Sequence, residues 1–98
     1  MTITSKLNGK ALELILEGRL DTLTAPDLEA EINKSCDAVD ALVLNFEKLD
    51  YISSAGLRVL LAAHKNMQHK GGMKVIHANE LVQEVFDVTG FADILTIE

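Results

Sequence analysis

The sequence predicts an α/β domain built on a mostly parallel sheet, and three observations predict it. An Asn8-Gly9 dipeptide lies between two apolar-containing runs, the strongest short signal for a β-hairpin. A continuously apolar run, Ala41-Leu42-Val43-Leu44, has the look of an interior strand. Beyond the hairpin, segments with helical spacing alternate with short apolar runs, the pattern of successive β-α units joined by right-handed crossovers.

Residues 2–17 are the hairpin. Ile3, Lys6 and Leu7 precede the turn. Leu12, Leu14 and Leu16 follow it at period two, with Glu13 and Ile15 on the other face. A turn centred on Asn8-Gly9 requires positive φ at both central positions. Residues 18–24 are expected to be a loop. A helix then starts with Thr24 as N-cap, Asp27 three residues on as the acidic member of a capping box, and Pro26 in the first turn. Its buried stripe is Ala25, Leu28, Ile32, Cys36 and Val39, with Glu29, Glu31 and Lys34 on the wet side. The strand at 41–46, expected to be buried on both faces, leads into a loop at 47–53. A second helix runs from about Ser54 to Gln68 and is stopped by Gly71-Gly72. Met73–His77 is the next strand. Asn79 caps a third helix carrying Leu81, Val82, Val85 and Phe86, and Gly90 followed by Phe91 ends it. Ile94, Leu95 and Ile97 form a last short strand. The expected order is β-β-α-β-α-β-α-β, with one antiparallel strand and helices covering at least one face.

Composition narrows the functional classes. At 98 residues with 48% hydrophobic residues, the chain is one domain able to fold around a single core. Cys36 is the single cysteine, so no intramolecular disulfide can form; it reads as a small buried hydrophobe in a reducing, cytosolic setting. No apolar run approaches the ~18 residues of a membrane span, and the first residues lack the apolar core of a signal peptide. A cytoplasmic protein without membrane contact is expected. The net charge of −6 argues against nucleic acid as a partner, since phosphate binding rests on Lys and Arg.

In open α/β sheets the functional loops lie at the carboxyl ends of the strands. The segment from Glu47 to Arg58 is placed there, and Ser53 and Ser54 sit where it turns into the second helix. Serine at this position caps a helix. The same geometry also favours a phosphate, because first-turn N–H groups and the helix dipole attract negative charge. Such a serine can cap one state and be modified in the other. Gly56 is expected to expose backbone and leave room for a partner to approach. The second helix is apolar almost all round (Leu57, Val59, Leu60, Leu61, Ala62, Ala63), which suits either a sandwiched helix or one offering surface to a partner. Catalytic constellations fail. His64, His69 and His77 do not cluster, no cysteine or acidic group completes a metal site, and neither a nucleophile elbow nor a Gly-rich phosphate loop is present. No enzyme activity, cofactor or metal is expected.

The segment Leu42-Val43-Leu44-Asn45-Phe46, followed by Leu49-Asp50-Tyr51-Ile52-Ser53-Ser54-Ala55-Gly56-Leu57-Arg58-Val59-Leu60-Leu61, resembles the signature of STAS domains, specifically bacterial anti-sigma factor antagonists. Gly18-Arg19-Leu20-Asp21 resembles the family's first turn, and Val85-Phe86, Thr89-Gly90-Phe91 and Ile94 resemble its C-terminal end, so the likeness spans nearly all of residues 1–98. The resemblance implies a phosphorylation-controlled partner switch. Such proteins bind an ATP-dependent serine-kinase anti-sigma factor and free the sigma factor it holds; phosphorylation breaks the contact, and a metal-dependent Ser/Thr phosphatase resets it. Matched by position, the phosphoacceptor is Ser54, with Ser53 as the alternative. Asp21, Asn45, Ser53, Ser54, Gly56, Leu57 and Arg58 match the partner-binding surface, and a monomer that pairs with its kinase is the simplest assembly. Two positions depart from the pattern: Ser53 stands where Asp is frequent, and Arg58 stands where Gly is frequent. Arg58 lies four residues after Ser54, one helical turn on, where it can reach back to a phosphate. The alternative implied by the same resemblance is an unphosphorylated STAS scaffold, such as a transporter accessory subunit or part of a sensory assembly.

Overall fold

The computed structural model describes residues 1–35 and 37–98. The element order is β1 (Thr2–Asn8), β2 (Ala11–Leu20), α1 (Ala25–Ser35), β3 (Ala41–Ile52), α2 (Ser54–Met67), β4 (Met73–Ile76), α3 (Glu80–Thr89), a single 3-10 turn (Phe91–Asp93) and β5 (Thr96–Ile97). The five strands form one sheet in the order β1-β2-β3-β4-β5. β1 is antiparallel to β2, and every later pairing is parallel. Each crossover therefore steps one strand in the same direction, and the right-handed rule puts all three helices on one face.

That face holds the core. Leu12, Leu14 and Leu16 of β2, Leu42, Leu44 and Phe46 of β3, and Met73 and Val75 of β4 all point to it. They meet Leu28 and Ile32 from α1, Leu60, Ala63 and Met67 from α2, and Val82 and Phe86 from α3. Phe46 and Phe86 are stacked with ring centroids 6.3 Å apart. The opposite face carries Glu13, Ile15, Val43, Lys74 and Ile76. Its centre is only half-buried, so β3 is not covered on both faces as its apolar run suggests; there Val43 lies between Glu13 and Lys74, and Asn45 between Ile15 and Ile76.

The hairpin turn is shifted by one residue. Asn8 pairs with Ala11, so the two-residue loop is Gly9-Lys10, with positive φ (66°) at Gly9. Glycine at the first central position is the pattern of a type II′ turn, which demands positive φ at one residue rather than two.

The larger difference is in β2 and β3, which run well beyond the expected strand ends. Residues 18–20 and 47–52 are strand, not loop. Ten residues of β2 lie beside twelve of β3, and the register slips twice, between Ile15 and Glu17 and between Gly18 and Arg19. Each slip adds one residue to β3, a β-bulge. The inward set of β3 accordingly runs Leu42, Leu44, Phe46, then Leu49, then Ile52. A spacing of three after Phe46 hides the strand from any period-two reading.

α1 begins at Ala25 with Ala25, Leu28 and Ile32 buried, as its stripe predicts, and Val39 is buried beyond its end. The expected place of Cys36 in that stripe lies outside the described residues. β4 stops at Ile76, and His77 takes a left-handed φ of 62°. Residues 91–93 form a 3-10 turn, so β5 is shorter than the sequence suggests. Among the described residues no helix is long and apolar enough to cross a membrane.

Candidate functional site

The C-terminal ends of β2 and β3 lie side by side, and the backbone joins them directly. Ser53 N–H donates to Leu20 C=O at 2.8 Å. This bond brings the loop after β2, which carries Asp21, next to the start of α2. The paired ends also align Arg19 with Tyr51 in register. The Arg19 guanidinium lies 4.4 Å from the Tyr51 ring centroid, and its Nε is 3.8 Å from Asp21 Oδ2.

The two serines have different environments. Ser53 is the N-cap of α2, extended at φ −101° and ψ 175°, and its Oγ accepts from Gly56 N–H at 3.5 Å. Its carbonyl accepts from Leu57 N–H at 3.0 Å. Ser54 is the first helical residue and is exposed. Capping thus falls to Ser53, and the Ser54 hydroxyl stands in solvent at the end of a helix whose first N–H groups lack intrahelical acceptors.

Asp21 builds its own loop. Its Oδ1 accepts from Leu23 N–H at 3.0 Å, Thr24 N–H at 3.2 Å and the Thr24 hydroxyl at 3.2 Å. The Thr24 hydroxyl in turn contacts Arg19 C=O, and its oxygen accepts from Asp21 N–H at 2.8 Å. Thr24 does precede α1, but its side chain is turned back into the loop rather than forward to Asp27. Partial desolvation, which alone would raise the Asp21 carboxyl, is outweighed by hydrogen bonds from Thr24 and Leu23 and by the Arg19 charge, so its pKa lies below the usual value. The loop presents Leu23, 87% exposed, to solvent.

Three of the expected surface residues are interior. Gly56 is buried, and a Cβ there would meet Leu20 Cγ at 2.7 Å and Ile52 Cγ1 at 2.9 Å. Its missing side chain lets α2 approach the sheet; it does not clear a path for a partner. Leu57 is a core residue. Asn45 is 9% exposed and lies on the helix-free face. Its Nδ2 donates to Glu13 Oε2 at 2.9 Å, and its Oδ1 accepts from Glu47 N–H at 3.0 Å. That N–H belongs to the first bulge, where the ladder has no acceptor for it. Asn45 thereby fixes the bulge that turns the end of β3 toward the site.

The exposed part of the site is therefore Ser54, Arg58 and the Asp21 loop. Arg58 is exposed and lines a shallow cleft of about 210 Å³ between α1 and α2, with Thr22, Pro26, Glu29 and Ala55. Arg19 and Tyr51 join the same surface through Asp21, and neither is among the residues that the sequence points to. Cross-strand pairing of Arg19 with Tyr51 becomes visible only once β2 and β3 are extended through residues 20 and 52. A larger depression of about 470 Å³ lies at the opposite end of the sheet, near Ala11, Ala41, Gly72 and Met73, and holds none of the site residues. Among the described residues no group of three or more His, Cys, Asp or Glu side chains is placed to hold a metal ion.

Several known proteins are similar to this chain in sequence or in fold. A Bordetella bronchiseptica protein, BtrV, named as an anti-sigma factor antagonist, is 38% identical over 84 residues, covering 84% of this chain and 72% of its own. Among solved structures, an anti-sigma factor antagonist from Mycobacterium paratuberculosis superimposes with a TM-score of 0.89 at 23% identity, over 98% of this chain and 83% of that one. SpoIIAA of Bacillus, an anti-sigma factor antagonist, has a TM-score of 0.85 in its unphosphorylated form, at 20% identity over 99% of this chain and 88% of that one. Its phosphorylated form has a TM-score of 0.77 at 19% identity, over 99% of this chain and 91% of that one. At these identities the structural likenesses speak for the fold alone. The profile of the STAS domain matches residues 2–98, and the chain belongs to the STAS domain family.

Proposed function

We propose that the protein is an anti-sigma factor antagonist whose contact with a serine-kinase anti-sigma factor is broken by phosphorylation of Ser54. The observation that carries this reading is the division of labour between the adjacent serines: Ser53 caps α2, and Ser54 is exposed and free to react. The names of its relatives support the antagonist role, and SpoIIAA is itself known in unphosphorylated and phosphorylated forms.

The mechanism is electrostatic. The kinase transfers a phosphoryl group from ATP to the Ser54 oxygen, releasing ADP and the hydroxyl proton. The product adds about −1.5 to −2 of charge to the contact surface. The α2 N-terminus and Arg58, one turn on, accommodate that charge within this chain. The docked partner, which met a neutral hydroxyl, now meets a dianion. A metal-dependent Ser/Thr phosphatase removes the group. In this reading Ser54, Arg58 and the Asp21 loop make the contact, whereas Gly56, Leu57 and Asn45 hold them in place. The protein works in the cytoplasm as a binding module without catalysis of its own.

The test is intact mass with and without a cognate kinase and ATP, followed by peptide mapping of residues 49–65. One added phosphate on Ser54, with kinase affinity reduced, is the expected result. Phosphate on Ser53 alone would overturn the acceptor assignment. No phosphate on either serine, with a partner still bound, would favour an unswitched scaffold.

A further inference from the structure

α3 carries two apolar stripes; the fold buries one, and of the other it packs Val85 against the core. Val82 and Phe86 are fully buried against the sheet. Leu81, Val85 and Val88, spaced i, i+4 and i+7, make a second stripe along the helix flank. Leu81 is 50% and Val88 77% exposed, with Val85 half-buried between them. Ile94, just beyond the 3-10 turn, is a further exposed apolar side chain.

The border of that stripe is charged with one sign. Glu80, Glu84 and Asp87 also recur at i, i+4 and i+7, and helical spacing places them in a row beside Leu81 and Val88. All three are exposed, and α3 has no basic residue. Asp87 Oδ1 accepts from a neutral group, Gln83 Nε2, at 3.2 Å. An apolar strip with an acidic edge complements an apolar strip with a basic edge. Other occupants fit less well. Two copies of this chain each carry −6 and would set one acidic row against another. An anionic membrane would be repelled by the same row.

We infer that α3 is a second docking surface, separate from the Ser54 site, and that its occupant is a basic amphipathic helix laid along Leu81, Val85 and Val88. The ten residues of α3 offer about three turns, enough for one such helix to seat two or three apolar anchors. The surface needs no change at Ser54, so its success or failure is independent of the phosphorylation reading.

The probe is a synthetic 18-residue peptide with leucines on one helical face and lysines along its border; a control replaces the lysines with glutamates. The isotope-labelled full chain is titrated with each and followed by amide NMR. The expected result is perturbation centred on Leu81, Glu84, Val85 and Val88 by the lysine peptide, weakening as salt rises. Val88→Ser should weaken binding about tenfold without disturbing the fold, because Val88 is exposed. Glu84→Lys should weaken it as well. Equal binding of both peptides, perturbation centred elsewhere, no binding at millimolar peptide, or unchanged affinity in Val88→Ser would each overturn the inference. Self-association through Leu81 and Val88, detected by light scattering, would make a second copy the occupant and overturn it too.

Discussion

At the scale of residues, Ser53 and Ser54 separate by what each removal costs. Ser53→Ala deletes the acceptor for Gly56 N–H and should destabilise the fold by about 0.5–1 kcal/mol, the lower end of capping values because the contact is long at 3.5 Å. Ser54→Ala removes an exposed hydroxyl and should stay within about 0.5 kcal/mol of the parent while abolishing the added phosphate. Urea unfolding of the two variants distinguishes them, and a larger loss for Ser54→Ala would reverse the roles. Gly56→Ala belongs to the same scale. Its Cβ would press on Leu20 and Ile52, and overpacking of this kind costs about 1–3 kcal/mol. Asp21 adds a pH dependence. Its folded-state pKa is depressed below the reference 3.8, so its loop contacts contribute stability above that pH and lose it as pH falls through the folded value. The Leu23 and Thr24 amide resonances should therefore shift in acid below about pH 3.8, and Asp21→Asn should remove that step.

At the scale of elements, the sequence was legible wherever one local rule acted alone. The helices are legible because apolar spacing and caps lie within a single segment: Asn79 Oδ1 accepts from Val82 N–H at 2.8 Å, and Gly90 ends α3 at a left-handed φ of 82°. The start of α2 was legible for the same reason. The end of β3 was not. Its inward residues after Phe46 come at intervals of three, since each bulge sets two of its residues against one of β2, and that ratio is written in the pairing of two strands rather than in either alone. A period-two reading blind to the bulges leaves residues 47–52 as a loop and the Arg19–Tyr51 pair out of sight, while the burial of Asn45 corrects a placement that family resemblance alone implies. The Asn45 role has a measurable consequence. Asn45→Ala strips the acceptor from Glu47 N–H and the donor from Glu13, and losing a part-buried hydrogen bond of this kind costs about 0.5–1.5 kcal/mol. The loss should appear as faster amide exchange at Glu47 and along residues 48–52, a stretch that includes Leu49, whose carbonyl is held by Asn79 Nδ2 at 3.0 Å. Exchange unchanged at those amides would mean the bulge holds itself.

At the scale of the whole molecule, the question is whether a phosphate on Ser54 acts on a surface or on the fold. The domain measures 32 × 27 × 20 Å, whereas charges are screened over about 8 Å at physiological salt. Ser54 is exposed at the helix start, so the added charge reaches chiefly the first turn of α2, Arg58 and the Asp21 loop. A negative group at a helix N-terminus contributes about 0.3–1 kcal/mol, and in a domain of this size such a gain raises Tm by a few degrees. The phosphorylated protein should therefore melt no lower than the parent, with amide shifts confined to the loop after β2, the end of β3 and the first turns of α2. Arg58 supplies the discriminating control. In Arg58→Ala the phosphate loses a neighbouring cation, so its second pKa should rise toward the free value of about 6, and the gain in Tm should shrink. Phosphorus NMR titration reads the first and calorimetry the second. A phosphorylated form that melts well below the parent would mean that partners are lost through unfolding, and an unchanged phosphate pKa in Arg58→Ala would remove Arg58 from the switch.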